Sequence, residues 1–194
     1  GTTGLGDGCT PSALPRSDRD TAYLNHWLNE GYAVVASDYA GLGTPGLMSY
    51  LSSEATARSV VDSVKAAHQL GLPLSKKWAI VGQSQGGGGA LNAARRATRL
   101  SRGSGLDYRG VVATGAPANI EHVVWQGGPS FPPVALPAGL NTYAAYILAG
   151  FTDARPDLHA TSALTPRGRQ VLRMAETLCY AEMGTAMKGE RINT

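Results

Sequence analysis

Lys77-Trp78-Ala79-Ile80-Val81-Gly82-Gln83-Ser84-Gln85-Gly86, followed by Gly87, Gly88 and Gly89, is the stretch on which the fold turns. A short apolar run at 77–81 enters a G-x-S-x-G box and leaves it into a helical pattern. Strand, very tight turn and helix in that order make a nucleophile elbow, with Ser84 at the apex in a conformation that exposes its oxygen. Glycines two before and two after the serine leave room for the turn. The N–H groups that open the following helix can stabilise an oxyanion. The five-residue box alone also describes a Gly/Ser loop. The strand and helix around it favour Ser84 as a nucleophile.

The same rhythm continues on both sides of the elbow. Upstream, Ser17 or Asp18 caps a helix of about 19–30, with Tyr23, Leu24, Trp27 and Leu28 on its apolar face and Gly31 at its end. Tyr32-Ala33-Val34-Val35-Ala36-Ser37 is a short apolar run expected to form a buried parallel strand. A helix over 54–69, capped by Ser52 or Ser53, carries the stripe Ala57, Val60, Val61, Val64 and Ala67. Downstream, a helix over about 86–101 is lined by Gly88, Gly89, Ala90, Ala93, Ala94 and Ala97 and can lie close against a sheet. Residues 108–114 form another strand. Helices alternating with strands predict an α/β fold, a mostly parallel sheet covered on both faces. Ser84 falls at the carboxyl end of a strand, where such sheets place their chemistry.

After Gly115-Ala116-Pro117 the rhythm breaks. Val123, Val124, Trp125, Phe131, Pro132, Pro133, Val134, Leu136 and Leu140 open an apolar stretch rich in Gly and Pro that runs to Phe151. Helices are expected at about 139–149 and 167–180, the second with Thr165 as cap, Pro166 at its first position, and Val171, Leu172, Ala175 and Leu178 buried. The expected division is therefore a core at 1–117 carrying the elbow and a helical cap at 118–194.

Bulk properties narrow the function. The chain has 194 residues, 25 of them Gly, with 16% charged residues and a net charge of +3. That suits one domain with tight turns. Arg95, Arg96, Arg99 and Arg102 fit the solvated side of one helix, so no nucleic-acid partner is expected. No cysteine or histidine spacing suggests a metal, and no stretch is long enough for a transmembrane segment. The chain begins at Gly1 without a methionine, which reads as a cut end, so the lack of a leader argues for no compartment. Gly41, Gly43 and Gly46 spell G-x-G-x-x-G, but Pro45-Gly46 interrupts and no helix opens there, so no dinucleotide cofactor is expected. Cys9 and Cys179 are either free buried thiols or one long-range disulfide. The Gly-rich start at 1–16 is either a flexible terminus or an anion-binding nest.

A serine nucleophile needs a base, and the base an orienting acid. His26 and His68 lie in helices before the elbow, against the Ser, acid, His order of this arrangement. His122 follows the strand at 108–114 too closely. Asp153, Asp157 and His159 have the right order but lie in the cap, with no later strand to carry them to Ser84. The expectation is that the acid and histidine lie outside these 194 residues.

With these features located, the chain resembles the secretory lipases of the Candida antarctica lipase A type, particularly their actinobacterial members. The matching stretches are Gly1–Gly4 leading to Cys9-Thr10-Pro11-Ser12, Gly31–Thr44, Glu54–Asp62, the box Gly82–Gly87, and Leu164-Thr165-Pro166-Arg167-Gly168. They span nearly the whole chain but only the middle of a family member. The resemblance implies a three-layer α/β-hydrolase core, partial here, with a helical lid insertion. It places Ser84 as nucleophile. It assigns the oxyanion hole to the backbone N–H groups of Gln85 and of the opening loop at Thr3 or Gly4. Asp38 and Tyr39 would support the site. Cys9 and Cys179 match positions that the family joins by a disulfide, which implies a secreted, extracellular protein.

The expected function is a serine carboxylic-ester hydrolase, a lipase or esterase that degrades lipid or other acyl esters through an acyl-enzyme and without a cofactor. The apolar segment at 123–151 would wall its acyl pocket. The expected partners are the acyl ester and the remaining C-terminal and N-terminal segments of the same protein, possibly as a separate chain. Rival readings are an acyltransferase or non-lipid esterase of the same fold, and a non-catalytic binding module.

Overall fold

The computed structural model describes residues 2–122 and 136–191. Helix α1 (Asp18–Asn29) opens where the Ser17 hydroxyl accepts the Asp20 N–H at 3.1 Å. Asp18 and Asp20 in its first turn oppose the positive end of the helix dipole. Helix α2 (Ser53–Gln69) precedes strand β1 (Lys77–Gln83), and helix α3 (Gln85–Leu100) leads to strand β2 (Asp107–Thr114). The strands pair in parallel from Lys77 opposite Asp107 to Gln83 opposite Thr114, with an irregularity between Trp78 and Ala79. The β1–α3–β2 crossing matches the expected α/β rhythm.

One face of this sheet is filled. Trp78 and Ile80 of β1 are buried with Ala57 and Val61 of α2 and Ala90, Ala93 and Ala97 of α3. The alanines let α3 approach closely, as the small-residue stripe predicts. At the edge of this layer, Glu54 of α2 takes ion pairs from Arg58, Arg96 and Arg99 at 2.9, 2.9 and 3.3 Å. Two of the arginines from the sequence patch thus bridge α3 to α2.

Three expectations are corrected here. Residues 32–37 form no strand, and Val34 and Val35 are 46% and 43% exposed. An apolar run supplies the surface of a strand, but a strand exists only when a neighbour takes its N–H and C=O groups. Among the described residues none does. Among the described residues the apolar face of α1 is likewise only partly covered: no residue of the helix is buried, and Tyr23 and Leu28 are exposed. Trp27 makes edge contacts with Tyr23, His26 and Tyr32. Finally, among the described residues the sheet is covered on one face: Val81 of β1 and Val112 of β2 stay exposed.

The second half is helical, as expected, but its boundaries differ. Helix α4 runs from Ala138 to Ala154, longer than predicted. The single helix expected at 167–180 is two, α5 (Pro166–Ala175) and α6 (Tyr180–Ala186). The break at 176–179 exists because that segment bonds elsewhere. Tyr180 donates its N–H to the Thr3 carbonyl at 2.7 Å, and Cys179 forms a bridge with Gly4. Cys179 then opens α6, its N–H held by the Glu182 carboxylate at 3.0 Å. The apolar residues from Val123 to Val134 lie outside the described residues.

A second core joins these helices to the loops of the first half. Leu5, Cys9, Leu42, Met48 and Tyr50 pack with Ala145, Tyr146, Leu172, Met183 and Met187. Cys9 and Cys179 form a disulfide across 170 residues, with Cα atoms 5.3 Å apart. Among the described residues no helix is long and apolar enough to cross a membrane.

Candidate active site

Ser84 stands between the end of β1 and the start of α3, exposed, with φ +55° and ψ −123°. A non-glycine residue at such a φ holds strain, on the order of 1–3 kcal/mol, and persists only where its surroundings impose it. Here its N–H donates to the Thr114 carbonyl at 2.9 Å, and its carbonyl accepts the Gly88 N–H at 3.1 Å. The chain therefore reverses within one residue, between the end of β2 and the first turn of α3. Gly82 makes the reversal possible. A Cβ there would lie 2.0 Å from the Gly86 carbonyl oxygen.

The opening loop lies against this elbow. The Thr2 hydroxyl donates to Gln85 Oε1 at 3.0 Å and bonds the Tyr50 hydroxyl at 2.9 Å. Thr3 and Gly4 follow, held from the other side by Tyr180 and Cys179. Gly4 has φ +136°, and a Cβ on it would sit 2.7 Å from Cys9 Sγ and 2.9 Å from Cys179 Cα. The loop is thus sandwiched between the elbow helix and the disulfide.

Asp38 and Tyr39 form a second bracket. Asp38 Oδ1 accepts the Ser12 N–H at 3.0 Å, tying its loop to the opening segment. Tyr39 has φ +71°, and its hydroxyl abuts α3 where a Cβ on Gly89 would come within 2.8 Å. Burial raises its phenol pKa. Beside the elbow lies a cavity of about 320 Å³ whose lining includes Gln85 and Asn92 of α3, Leu51, Ile147 of α4, Ile120 and Glu121.

Asp153 and Asp157 are engaged elsewhere. Asp153 accepts a short hydrogen bond from the Ser49 hydroxyl. Asp157 takes a two-pronged bond from Arg155 at 2.9 and 2.7 Å, which holds its carboxyl below the usual range. His159 sits in a left-handed turn with φ +47°. His68 ends α2, as its helical spacing suggests. Among the described residues no hydrogen bond joins Ser84 to a histidine, and no three His, Cys, Asp or Glu side chains gather as metal ligands. Gly41, Gly43 and Gly46 lie in bends well before α2 begins at Ser53.

Sequence reasoning missed Thr2 and Tyr50. Both act through contacts between segments 48 and 83 residues apart, and neither lies in a pattern that marks it locally.

The family model described as Secretory lipase matches residues 16–194. Among solved structures, a ligand-bound form of the rice cell wall degrading esterase LipA from Xanthomonas oryzae superposes with a TM-score of 0.67 and 21% identity, over 99% of this chain and 52% of that one. A mutant form of that esterase gives 0.66 and 20%, with the same coverage. A protein of Legionella pneumophila provisionally described as a hydrolase gives 0.64 and 21%, over 88% of this chain and 47% of that one. The chain spans about half the length of these structures. No curated protein matches it.

Proposed function

Since the chain belongs to the secretory lipase family and carries a partial α/β-hydrolase core with helical insertions, we propose that it is the nucleophile-bearing part of a serine carboxylic-ester hydrolase. The observation that carries this reading is Ser84 itself: exposed, at positive φ, with helix α3 starting at the next residue. Few positions other than a nucleophile benefit from so strained a serine.

In the proposed reaction the Ser84 Oγ attacks the ester carbonyl carbon while a histidine takes its proton. The tetrahedral oxyanion is received by the backbone N–H of Gln85 and that of Gly4 or Thr3, at about 3 kcal/mol per donor. Collapse breaks the C–O bond, and the histidine returns its proton to the leaving alcohol. Water, deprotonated by the same histidine, then attacks the acyl-enzyme, which releases the carboxylate and restores Ser84. The hole is supported by the fixed position of Gly4 and by the bridge of Gly4 to Cys179, whose hydrogen bond runs from Tyr180 to the neighbouring Thr3 carbonyl. Asp38 and Tyr39 brace the loops around it. The cavity beside Gln85 receives part of the substrate, a lipid or other acyl ester, under a cap to which α4, α5 and α6 belong.

We assign the histidine and its acid to the rest of the polypeptide, because among the described residues no hydrogen bond joins Ser84 to a histidine and the matched structures are about twice as long. Those segments would pack on the edge of β1 that takes no partner among the described residues and on the exposed apolar residues of α1. The disulfide and the family's secretory character support an extracellular location.

The test is an organophosphonate ester applied to the whole protein. It is expected to add one adduct, on Ser84, and Ser84→Ala is expected to remove both the adduct and ester turnover. An adduct on another residue would overturn the assignment. No adduct with folded protein would favour a binding module.

A further inference from the structure

Building on the serine-hydrolase reading above, we propose that Thr2 is a positioning residue. Its hydroxyl clamps the opening loop to Gln85, so that both sets of oxyanion donors converge on one oxygen, and Tyr50 orients the proton that makes the clamp.

A threonine hydroxyl has one proton to give. Gln85 Oε1 is a carbonyl oxygen and can only accept, so that proton lies on the Thr2–Gln85 bond. Tyr50 Oη, 2.9 Å from the same hydroxyl, must then be the donor in its own bond. The result is a one-way chain: Tyr50 to Thr2, Thr2 to Gln85. Its direction follows from the inventory of donors.

The two ends of the chain are anchored differently. Gln85 is the first residue of α3, and in the proposed reaction its backbone N–H is one of the oxyanion donors. Tyr50 belongs to the second core, 7% exposed, with its ring 5.8 Å from that of Tyr146. Tyr146 in turn donates to the Leu178 carbonyl at 3.0 Å. Helix α4 presses on Tyr50 so closely that a Cβ at Gly150 would lie 2.4 Å from the Tyr50 nitrogen. Burial also keeps the Tyr50 phenol protonated, hence a donor, beyond the usual alkaline limit.

The loop from Thr2 to Gly4 is therefore held from both sides. Tyr180, Cys179 and the disulfide fix it to the helical half. Thr2 is the side-chain bond that fixes it to the elbow. Without that bond the loop keeps its place in the second core, but its distance from the Gln85 N–H is no longer set. Oxyanion donors act only when aligned with the transition state, so such a loss falls on kcat.

The experiment uses the whole protein and a soluble chromogenic acyl ester. Thr2→Val keeps the shape and removes the hydroxyl. We expect kcat to fall about 10- to 100-fold with KM within about threefold, since misplacement by an ångström is of that order. Thr2→Ser is expected to recover kcat to within about threefold of the parent, and Tyr50→Phe to lower it in the same direction by less. Gln85→Met removes the acceptor but keeps the backbone N–H. It is expected to match Thr2→Val, and the double variant to be no worse than either. Should Thr2→Val fail to fold, Gln85→Met carries the test alone. Parental kcat in Thr2→Val and Gln85→Met, or a loss confined to melting temperature and KM, would overturn the clamp. So would a Thr2→Ser variant as poor as Thr2→Val. Phosphonate labelling of Ser84 in the parent separates the two failures. A parent that labels and turns over with indifferent variants refutes the clamp alone, whereas a parent that does neither refutes the hydrolase reading.

Discussion

Ser84 and Gly82 were legible as a pair because their requirement is local. The turn needs a residue without Cβ two positions before the serine, and the G-x-S-x-G spacing states that need directly. The structure adds the magnitude: 2.0 Å from a Gly82 Cβ to the Gly86 oxygen leaves no room for adjustment by side chains alone. Gly82→Ala is therefore expected to cost about 1–3 kcal/mol through displaced backbone. It should also abolish phosphonate labelling of an unaltered Ser84, read by intact-protein mass spectrometry beside a urea titration. Thr2, Tyr50 and the contact of Tyr39 with Gly89 were not legible. Each depends on which distant segment faces the residue. Even Asp38, flagged from its loop, is used through a backbone N–H of Ser12 that no motif announces.

At the level of elements, helix starts were legible wherever a cap has its own chemistry. Thr165 ahead of Pro166 predicts the start of α5, and its hydroxyl accepts the Gly168 N–H at 3.1 Å. Ser52 precedes α2 in the same way but makes no cap bond. Thr165→Ala is thus expected to lower unfolding free energy by about 1 kcal/mol, and Ser52→Ala by no more than a few tenths, in matched urea titrations. Equal losses would contradict the capping geometry. Glu54 gives a further contrast. Three guanidiniums converge on it from two helices and lower its pKa against the opposing effect of desolvation. Glu54→Gln is expected to lower the melting temperature at low salt and much less at molar salt, because the pairs are exposed and screened. Elements were misjudged where pairing decides. The run at 32–37 has strand composition without a partner among the described residues, and the helix expected at 167–180 stops short because Cys179 and Tyr180 pair with Gly4 and Thr3.

For the molecule as a whole, the disulfide is the largest single constraint outside the cores. Closing 170 residues is worth roughly 5 kcal/mol in a chain-entropy account. Because Cys179 also adjoins Gly4, reduction or a Cys9→Ala, Cys179→Ala pair is expected to do two things. It should lower the melting temperature, and at temperatures where the fold persists it should slow ester turnover. Calorimetry beside a turnover assay distinguishes them, and a reduced protein of unchanged stability would remove the staple from the account. The second core also sets an alkaline limit. The Tyr143 phenol is pushed up to about 12, first by its hydrogen bond with Tyr180 and then by burial. Burial raises Tyr39, Tyr50 and Tyr146 as well. Unfolded tyrosines ionise near pH 10, so above that pH the unfolded state releases protons that the folded state retains. Stability is expected to be full below about pH 10 and to fall as pH approaches about 12. Phenolate absorbance followed with circular dichroism checks this: the buried tyrosines should ionise together with unfolding, not before it.

The residues alone specify the elbow with Ser84 at its apex, the alternation of helix and strand from α2 to β2, and the passage into a helical second half, because each follows from short-range periodicity, turn sterics and capping. From the residues alone, Cys9 and Cys179 could be paired or free. Their joining, the seating of Thr2 to Gly4 between the disulfide and α3, and the chain from Tyr50 through Thr2 to Gln85 come from the folded molecule. They unite segments about 50 to 170 residues apart. Contacts at that range depend on how two cores pack around one loop, and no local pattern encodes that distance.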